Sequence, residues 1–490
     1  MITNTVFFKE EHGNCLPTIR LSKIEISNFK NVKHGEIVFN CCRETADTGT
    51  HADILGLYGQ NGSGKTSLID ALCILRRCLL GEPLKERFAE CVEKGADYSR
   101  LIYCFNLQYP DGRKRTVSYE LSLSFVVNRE PNQELIGPTT DDGFHPQLKP
   151  MVFDEVLRMG GDFENKSVRL QPVIDMSKKA TPFAPDTKVK ALLPNVSQET
   201  VIDFAINKKL AQERSTSHVF MDETIEIFRK YGYSEYLQVV LELKYFAYYY
   251  FHIITTEMSG MIRSNEGIPF YTRLGILTLN VNEPNTLNNA YYSMMLNQLA
   301  DINVVINKLI PGLSVCMKET GSTIMKDGKQ GHTFELLAVR NGQELPLRCE
   351  ADGVRRLISV LNLLVSVYND PSCTVAIDEF DAGIFEYLLG EILQLIESSG
   401  QGQFIFTSHN LRPLEVISNK YLYFTTANPR NRYIQFKGVK KTSNLRKLYF
   451  RDILLGGQDE EMYESGQQYE IAMAFQKAGA RKKARYAQNR

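Results

Sequence analysis

The sequence predicts an α/β fold with a mostly parallel sheet, and three apolar runs carry that prediction. They are Ile54-Leu55-Gly56-Leu57-Tyr58, Cys373-Thr374-Val375-Ala376-Ile377 and Gln403-Phe404-Ile405-Phe406-Thr407. Each is short and continuous, as a strand buried on both faces is. Helical spacing follows the first run and separates the second from the third. Each run also ends in polar residues: Gly59-Gln60-Asn61-Gly62-Ser63-Gly64-Lys65-Thr66, then Asp378-Glu379, then Ser408-His409-Asn410.

The first of these ends fits G-x-x-x-x-G-K-[ST], a loop that wraps the phosphates of a nucleoside triphosphate. Glycines let successive backbone N–H groups converge on one anion, and the start of the next helix adds partial positive charge. Gly59, Asn61, Gly62, Ser63, Gly64, Lys65, Thr66 and Ser67 are the expected nucleotide contacts. Lys65 reaches the β- and γ-phosphates, and the Thr66 hydroxyl ligates Mg²⁺. Asp378, at its strand end, holds Mg²⁺ through water opposite Thr66, while Glu379 orients or deprotonates the attacking water. His409 stands beside the γ-phosphate if the second and third strands are neighbours, where its ring can hydrogen-bond the phosphate. A chance loop, an exposed acidic turn and a surface histidine are the bland readings. The repeated strand-then-helix order argues against them.

The totals bound the rest. Lys plus Arg, 57, equals Asp plus Glu, 57, so nucleic-acid contact would need a local patch. Ten cysteines form no C-x-x-C pair, which suits free thiols in a reducing compartment better than zinc or disulfides. No secretory signal is apparent at the N-terminus. The longest apolar stretch, 237–256, contains Glu242, Lys244 and His252, which reads as a buried helix and not a membrane span. A cytoplasmic location and no membrane contact are the expectation.

In chain order, residues 19–29 and 35–39 suggest two strands, and 99–109 and 115–127 form a hairpin across Asp111-Gly112. Residues 128–150 read as an exposed loop, and order resumes at 152–157. From 192 to 313 the composition turns helical, with candidates at 198–210, 222–230, 235–255 and 287–310; Pro311-Gly312 stops the last. No heptad is sustained, so long coiled-coil arms are not expected. Strands at 332–340 and 344–349 lead back to a helix after Gly353, and 382–396 reads as a further helix. Strands near 421–425 and 433–436 precede an acidic cluster (Asp459, Glu460, Glu461, Glu464) and a basic end (Lys477, Arg481, Lys482, Lys483, Arg485, Arg490).

Together these pieces resemble the ATP-binding-cassette class of ATPases, in its RecF/SMC/Rad50-like and OLD-like (AAA15) branch. The resemblance rests on Lys23-Ile24-Glu25-Ile26-Ser27-Asn28-Phe29-Lys30, the phosphate loop, Glu350-Ala351-Asp352-Gly353-Val354-Arg355-Arg356-Leu357, the run from Cys373 to Asp381, and Thr407-Ser408-His409-Asn410. It covers roughly 19–130 and 330–430. It implies an ABC-type P-loop ATPase domain, a mostly parallel sheet plus an antiparallel N-terminal lobe, split by a compact helical insertion. The implied division is 1–190, an insertion at 191–330, a second half at 331–436, and a tail at 437–490. Asp352 and Gly353 then correspond to the signature loop, with Ala351 where Ser is usual, and Asp381 to the D-loop. Ile384-Phe385 stands where many relatives carry Leu-His. The implied Q-loop glutamine has one candidate, Gln108.

A signature loop acts on the γ-phosphate of a nucleotide held by a second copy, so the resemblance implies a homodimer or higher oligomer closed around ATP and Mg²⁺. Arg355 and Arg356 are candidates for contacts across that interface, or for a solvated helix face. The expected activity is ATP hydrolysis without intrinsic nuclease, with dimerisation controlling a separate nuclease or toxin in a prokaryotic anti-phage setting. The alternatives are a DNA-repair or DNA-clamping ATPase, gripping DNA through the insertion and basic end, and a slowly hydrolysing ATP-dependent scaffold. The aromatic run 245–251 stacks bases in the first alternative; otherwise it is a packed face.

Overall fold

The computed structural model describes residues 16–40, 51–127, 148–163, 166–177, 198–231, 235–263, 267–272, 275–325, 328–436, 444–455, 459–462 and 468–488. Its first half holds β1 (Thr18–Phe29), β2 (Val32–Val38), β3 (Asp53–Tyr58), α1 (Lys65–Leu80), β4 (Ser99–Gln108), β5 (Lys114–Val127), β6 (Leu148–Phe163) and β7 (Lys166–Asp175). The middle holds α2 (Gln198–Arg214), α3 (Asp222–Tyr231), α4 (Glu235–Tyr249), β8 (Phe251–Ile254), α5 (Thr256–Arg263), β9 (Ile268–Thr272), β10 (Gly275–Leu279), β11 (Asn285–Asn288) and α6 (Asn289–Leu309). Then come β12 (Leu313–Ile324), β13 (Gln330–Arg340), β14 (Gln343–Pro346), α7 (Asp352–Asn369), β15 (Thr374–Ile377), α8 (Glu386–Ser399), β16 (Gln403–Thr407) and α9 (Pro413–Val416). The chain closes with β17 (Leu422–Thr425), β18 (Tyr433–Ile434), α10 (Leu445–Leu455) and α11 (Gln468–Gln488).

The expected α/β architecture, a mostly parallel sheet beside an antiparallel N-terminal lobe, is present. One sheet has the order β18-β17-β3-β16-β15-β8 and is parallel except for β18. Every residue of β3, β15 and β16 is buried, which is why these strands read as unbroken apolar runs. The N-terminal lobe is an antiparallel sheet of order β2-β1-β4-β5-β6-β7. Its alternating burial matches the alternating sequence of β1 and β4.

Helix α1 lies between the two sheets. Leu68, Ile69, Leu72, Leu75 and Leu79 are fully buried in one core with Ile24, Tyr103, Val117 and Val239. Tyr103 donates from its hydroxyl to the Ala71 carbonyl at 2.6 Å, pinning the lobe to the helix. The helix ends where Gly81 adopts φ 69° and its N–H bonds the Arg77 and Cys78 carbonyls.

Four expectations shift. The helix expected over 235–255 ends at Tyr249, and Phe251–Ile254 becomes β8, paired in parallel with β15 at the edge of the central sheet. Pairing overrides helical spacing in a run of only four residues. The helix expected over 287–310 starts at Asn289, because Asn285–Asn288 pairs with β13 and the Asn288 side chain caps the Tyr291 N–H. The helix expected over 382–396 starts at Glu386; the turn before it holds Glu379 at φ 49° and Gly383 at φ 79°. The boundary expected at 330/331 falls inside the β12–β13 hairpin. The segment 191–330 is thus helical in α2–α6 but also supplies strands, one of them to the central parallel sheet. The aromatic run 245–251 is mainly a packed face, with Tyr245, Phe246 and Phe251 buried in the α1 core. Most of the loop expected at 128–150, residues 128–147, lies outside the described residues, as do Cys41, Cys42, Glu464 and Arg490.

Candidate nucleotide site

The loop between β3 and α1 is shaped by contacts that leave its centre open. At Gly59 a Cβ would come within 1.6 Å of Thr425 Oγ1, so only glycine lets the loop pass β17. Gly64, at φ 102°, caps α1 in a conformation that other residues resist. Ser63 donates to the Gln60 carbonyl at 2.6 Å and shares a hydrogen bond with Thr425 Oγ1. Tyr433 donates to the Gly64 carbonyl at 2.8 Å. Asn31, in the β1–β2 turn, donates to the Gly62 carbonyl and accepts from Ser67 Oγ at 3.2 Å. Arg432 in turn donates to the Asn31 carbonyl at 2.6 Å. Ser63 and Ser67 therefore brace the loop, while Asn61, Gly62 and Thr66 face solvent.

Lys65 is 6% exposed and donates to the Gly59 and Gln60 carbonyls at 2.8 and 2.9 Å. Burial pulls its pKa down, and the negative charges of Asp378, Glu379 and Asp381 oppose that pull. Lys65 and the acidic loop, some 300 positions apart in sequence, therefore occupy one neighbourhood. Sheet order explains it: β16 pairs with both β3 and β15, so all three strand ends open on the same edge.

Asp378 is 1% exposed. Its Oδ1 accepts from Thr407 Oγ1 at 2.6 Å and its Oδ2 from Thr256 Oγ1 at 2.6 Å. Glu379 follows in the left-handed region, φ 49°, and its N–H donates to Thr407 Oγ1 at 2.8 Å. One threonine at the end of β16 thus sets both acids. The His409 and Asn410 N–H groups donate to Asp381 Oδ2 at 3.2 and 3.0 Å, holding the exposed His409 beside the acidic loop.

The start of α7 docks beneath this loop. Gly353 lies so close to the Gly383 carbonyl that a Cβ would approach within 1.7 Å. Ala351 provides no side-chain cap, so the first N–H groups of α7 keep an exposed end beside Asp352. The expectation that Arg355 and Arg356 reach across an interface or face water does not hold. They are 2% and 4% exposed within their own chain. Arg355 pairs with Asp352, and Arg356 donates to the Asp378 and Glu379 carbonyls at 3.0 and 2.6 Å. Arg356 lies under the acidic loop, which the sequence of the helix alone does not reveal.

The residues fit a phosphate and a hard cation. Three glycines of positive φ (59, 62 and 64), a buried lysine and an open helix start favour an anion. The Thr66 hydroxyl and Asp378 carboxylate are oxygen donors of the kind Mg²⁺ takes, with water and phosphate completing its shell. Among the described residues no cluster of three His, Cys, Asp or Glu could hold a metal alone.

Gln108 is not part of the site: it ends β4, opposite Thr18 and Lys114 in the antiparallel lobe. Sequence reasoning missed Asn31, Thr256 and Thr425, and took Thr407 as a strand residue without a role at the site. Thr256 carried no signal because the strand just before it, β8, was hidden in an apparent helix.

Residues 23–99, from β1 into the start of β4, match a family model described as an AAA domain. No curated protein matches the chain. Among solved structures, the chain is similar to the Smc head bound to the C-winged helix domain of ScpA (TM-score 0.37, 12% identity, 85% of this chain and 97% of that one). It is also similar to the SMC head domain from Thermotoga maritima (TM-score 0.34, 13% identity, 85% and 99%) and to the recombination mediator protein RecF with ATPrS (TM-score 0.33, 11% identity, 81% and 95%). The family match and the geometry meet on one element: the AAA-domain segment contains the whole loop from Gly59 to Thr66.

Proposed function

We propose that the chain is a Mg²⁺-dependent ATPase whose ATP-bound form pairs with a second copy. The observation that carries this is that β3, β15 and β16 end side by side, which brings Lys65 within electrostatic reach of Asp378 and Glu379. In the reaction Lys65 exchanges its two carbonyl acceptors for phosphate oxygens, while Thr66 would ligate Mg²⁺ directly and Asp378 would hold it through water. Bound there, Mg²⁺ would neutralise phosphate charge. Glu379 accepts a proton from the attacking water, and His409 holds a γ-phosphate oxygen. Asp352 and Gly353, at the open start of α7, receive the phosphates held by the other copy. Because Arg356 and Gly353 clamp α7 to the loop 378–383, that contact is felt at Glu379.

ATP then acts as a reversible link between two chains, and its hydrolysis resets them. On this reading a separate effector, a nuclease or toxin in an anti-phage system, responds to the paired state. DNA clamping is the second reading, favoured by the basic helix α11 with Lys477 and Arg481. The test is the mass of Glu379→Gln with ATP and Mg²⁺ by light scattering. A doubled mass with ATP and a single mass with ADP are expected; a single mass in both removes the pairing. DNA binding at 50 mM salt that stimulates hydrolysis selects the second reading.

A further inference from the structure

We infer that Thr256 is a positioning residue that tunes cation affinity by fixing the Asp378 carboxylate. Its place follows from the backbone. Ile254 and Ile377 are register partners across β8 and β15, and the Asp378 N–H donates to the Ile254 carbonyl at 2.9 Å. That bond sets the first residue of α5 against the carboxylate, where the Thr256 hydroxyl reaches Oδ2 at 2.6 Å. A charge buried to 1% exposure normally takes a cationic partner. Asp378 forms no ion pair with a lysine or arginine among the described residues; both of its oxygens take threonine hydroxyls.

The choice of hydroxyls has a chemical consequence. A lysine or arginine there would cancel the charge that a divalent cation needs. A hydroxyl orients the carboxylate, leaves its charge intact, and keeps acceptor lone pairs of its own. Thr407 already accepts from the Glu379 N–H at 2.8 Å. No second partner engages the Thr256 hydroxyl among the described residues, so it is placed to accept from a water in the cation's shell. Hydrogen-bonding partners of this kind commonly set 10–100-fold in metal affinity, about the range expected here. Thr256 also belongs to the segment α4–β8–α5, and α5 packs on α7. A shift of α7 on pairing is thereby transmitted to the carboxylate from a third side.

This inference rests on the site being a Mg²⁺–nucleotide site, and the experiment separates the two. A fluorescent ATP analogue is titrated into the full chain in EDTA and across a Mg²⁺ series. The wild type, Thr256→Val and Thr256→Ser are compared, and circular dichroism checks that each is folded. The expected result is a Mg²⁺ midpoint about 10–100-fold higher for Thr256→Val and restored by Thr256→Ser. An unchanged midpoint in Thr256→Val, beside a Mg²⁺-dependent wild type, overturns the role of Thr256. Equal weakening with and without Mg²⁺ also overturns it, by making Thr256 a structural prop, as does unfolding of Thr256→Val together with an unrestored Thr256→Ser. A wild type that binds no nucleotide under any condition overturns the nucleotide reading itself.

Discussion

The two large sheets satisfy buried charge to different extents. In the antiparallel lobe Glu155 and Arg115 each take three hydrogen-bond partners from the chain itself. Glu155, 2% exposed, accepts from the Tyr119 hydroxyl at 2.6 Å, from Ser217 Oγ and from the His218 N–H at 2.7 Å. The fully buried Arg115 side chain lies against the Tyr109 and Phe163 rings, 4.8 and 4.3 Å from their centroids. It donates to the Asp162 carbonyl, to the Tyr109 hydroxyl and to Glu235. At the edge of the parallel sheet, Lys65 and Asp378 are also buried but are each held by two partners, backbone carbonyls for Lys65 and threonine hydroxyls for Asp378. Three internal partners leave a buried charge little capacity for a ligand; two leave Lys65 an N–H and Asp378 lone pairs to offer one.

The contrast is broken most forcefully at Arg115. Arg115→Met takes a donor from Glu235, from the Tyr109 hydroxyl and from the Asp162 carbonyl, and is expected to cost about 3–5 kcal/mol, read as a lower urea midpoint. Nucleotide binding at temperatures where the variant is folded should persist. Lys65→Met should do the reverse. Removing a buried charge that lacks a counter-ion leaves the ligand-free stability equal or higher, while loss of charge-assisted phosphate bonds weakens ATP by about 10–100-fold in a fluorescence titration.

A smaller effect sharpens the comparison through pH. Burial pushes Glu242 from its ordinary 4.5 up to about 7, despite hydrogen bonds from Tyr109 and Gln238. A raised folded pKa contributes stability that is complete below 4.5 and lost as pH rises through about 7. Burial pushes His218 from 6.5 down to about 4, so its contribution is present above 6.5 and lost as pH falls through about 4. The two slopes oppose each other in one window. Glu242→Gln removes the first, so the variant should gain stability relative to wild type between pH 5 and 7, by at most about 3 kcal/mol. Equal pH slopes in wild type and variant would show that Glu242 does not titrate there.

The same contrast explains what the sequence reveals. Strands buried on both faces show as unbroken apolar runs, so β3, β15 and β16 and the polar ends that carry Lys65, Asp378, Glu379 and His409 were legible. The helix start at Gly353 was legible too, through its glycine and apolar spacing. Strand β8 was not, because four apolar residues continue the spacing of α4, and its partner lies more than a hundred residues downstream. Thr256 was lost with it. Arg355 and Arg356 read as interface contacts or as a solvated face because nothing local shows that both are buried in their own chain, Arg356 under the loop 378–383. Side chains recruited by long-range pairing stay hidden until the pairing is known.

The central claim is that Lys65, Asp378 and Glu379 surround one triphosphate and that Glu379 moves the proton. Phosphate release in a single turnover, with ATP and Mg²⁺ and the chain in excess, tests it most directly. Glu379→Gln should bind ATP as wild type does and release phosphate about 10²–10⁴-fold more slowly. Equal rates in the two proteins, with ATP bound in both, would contradict the account.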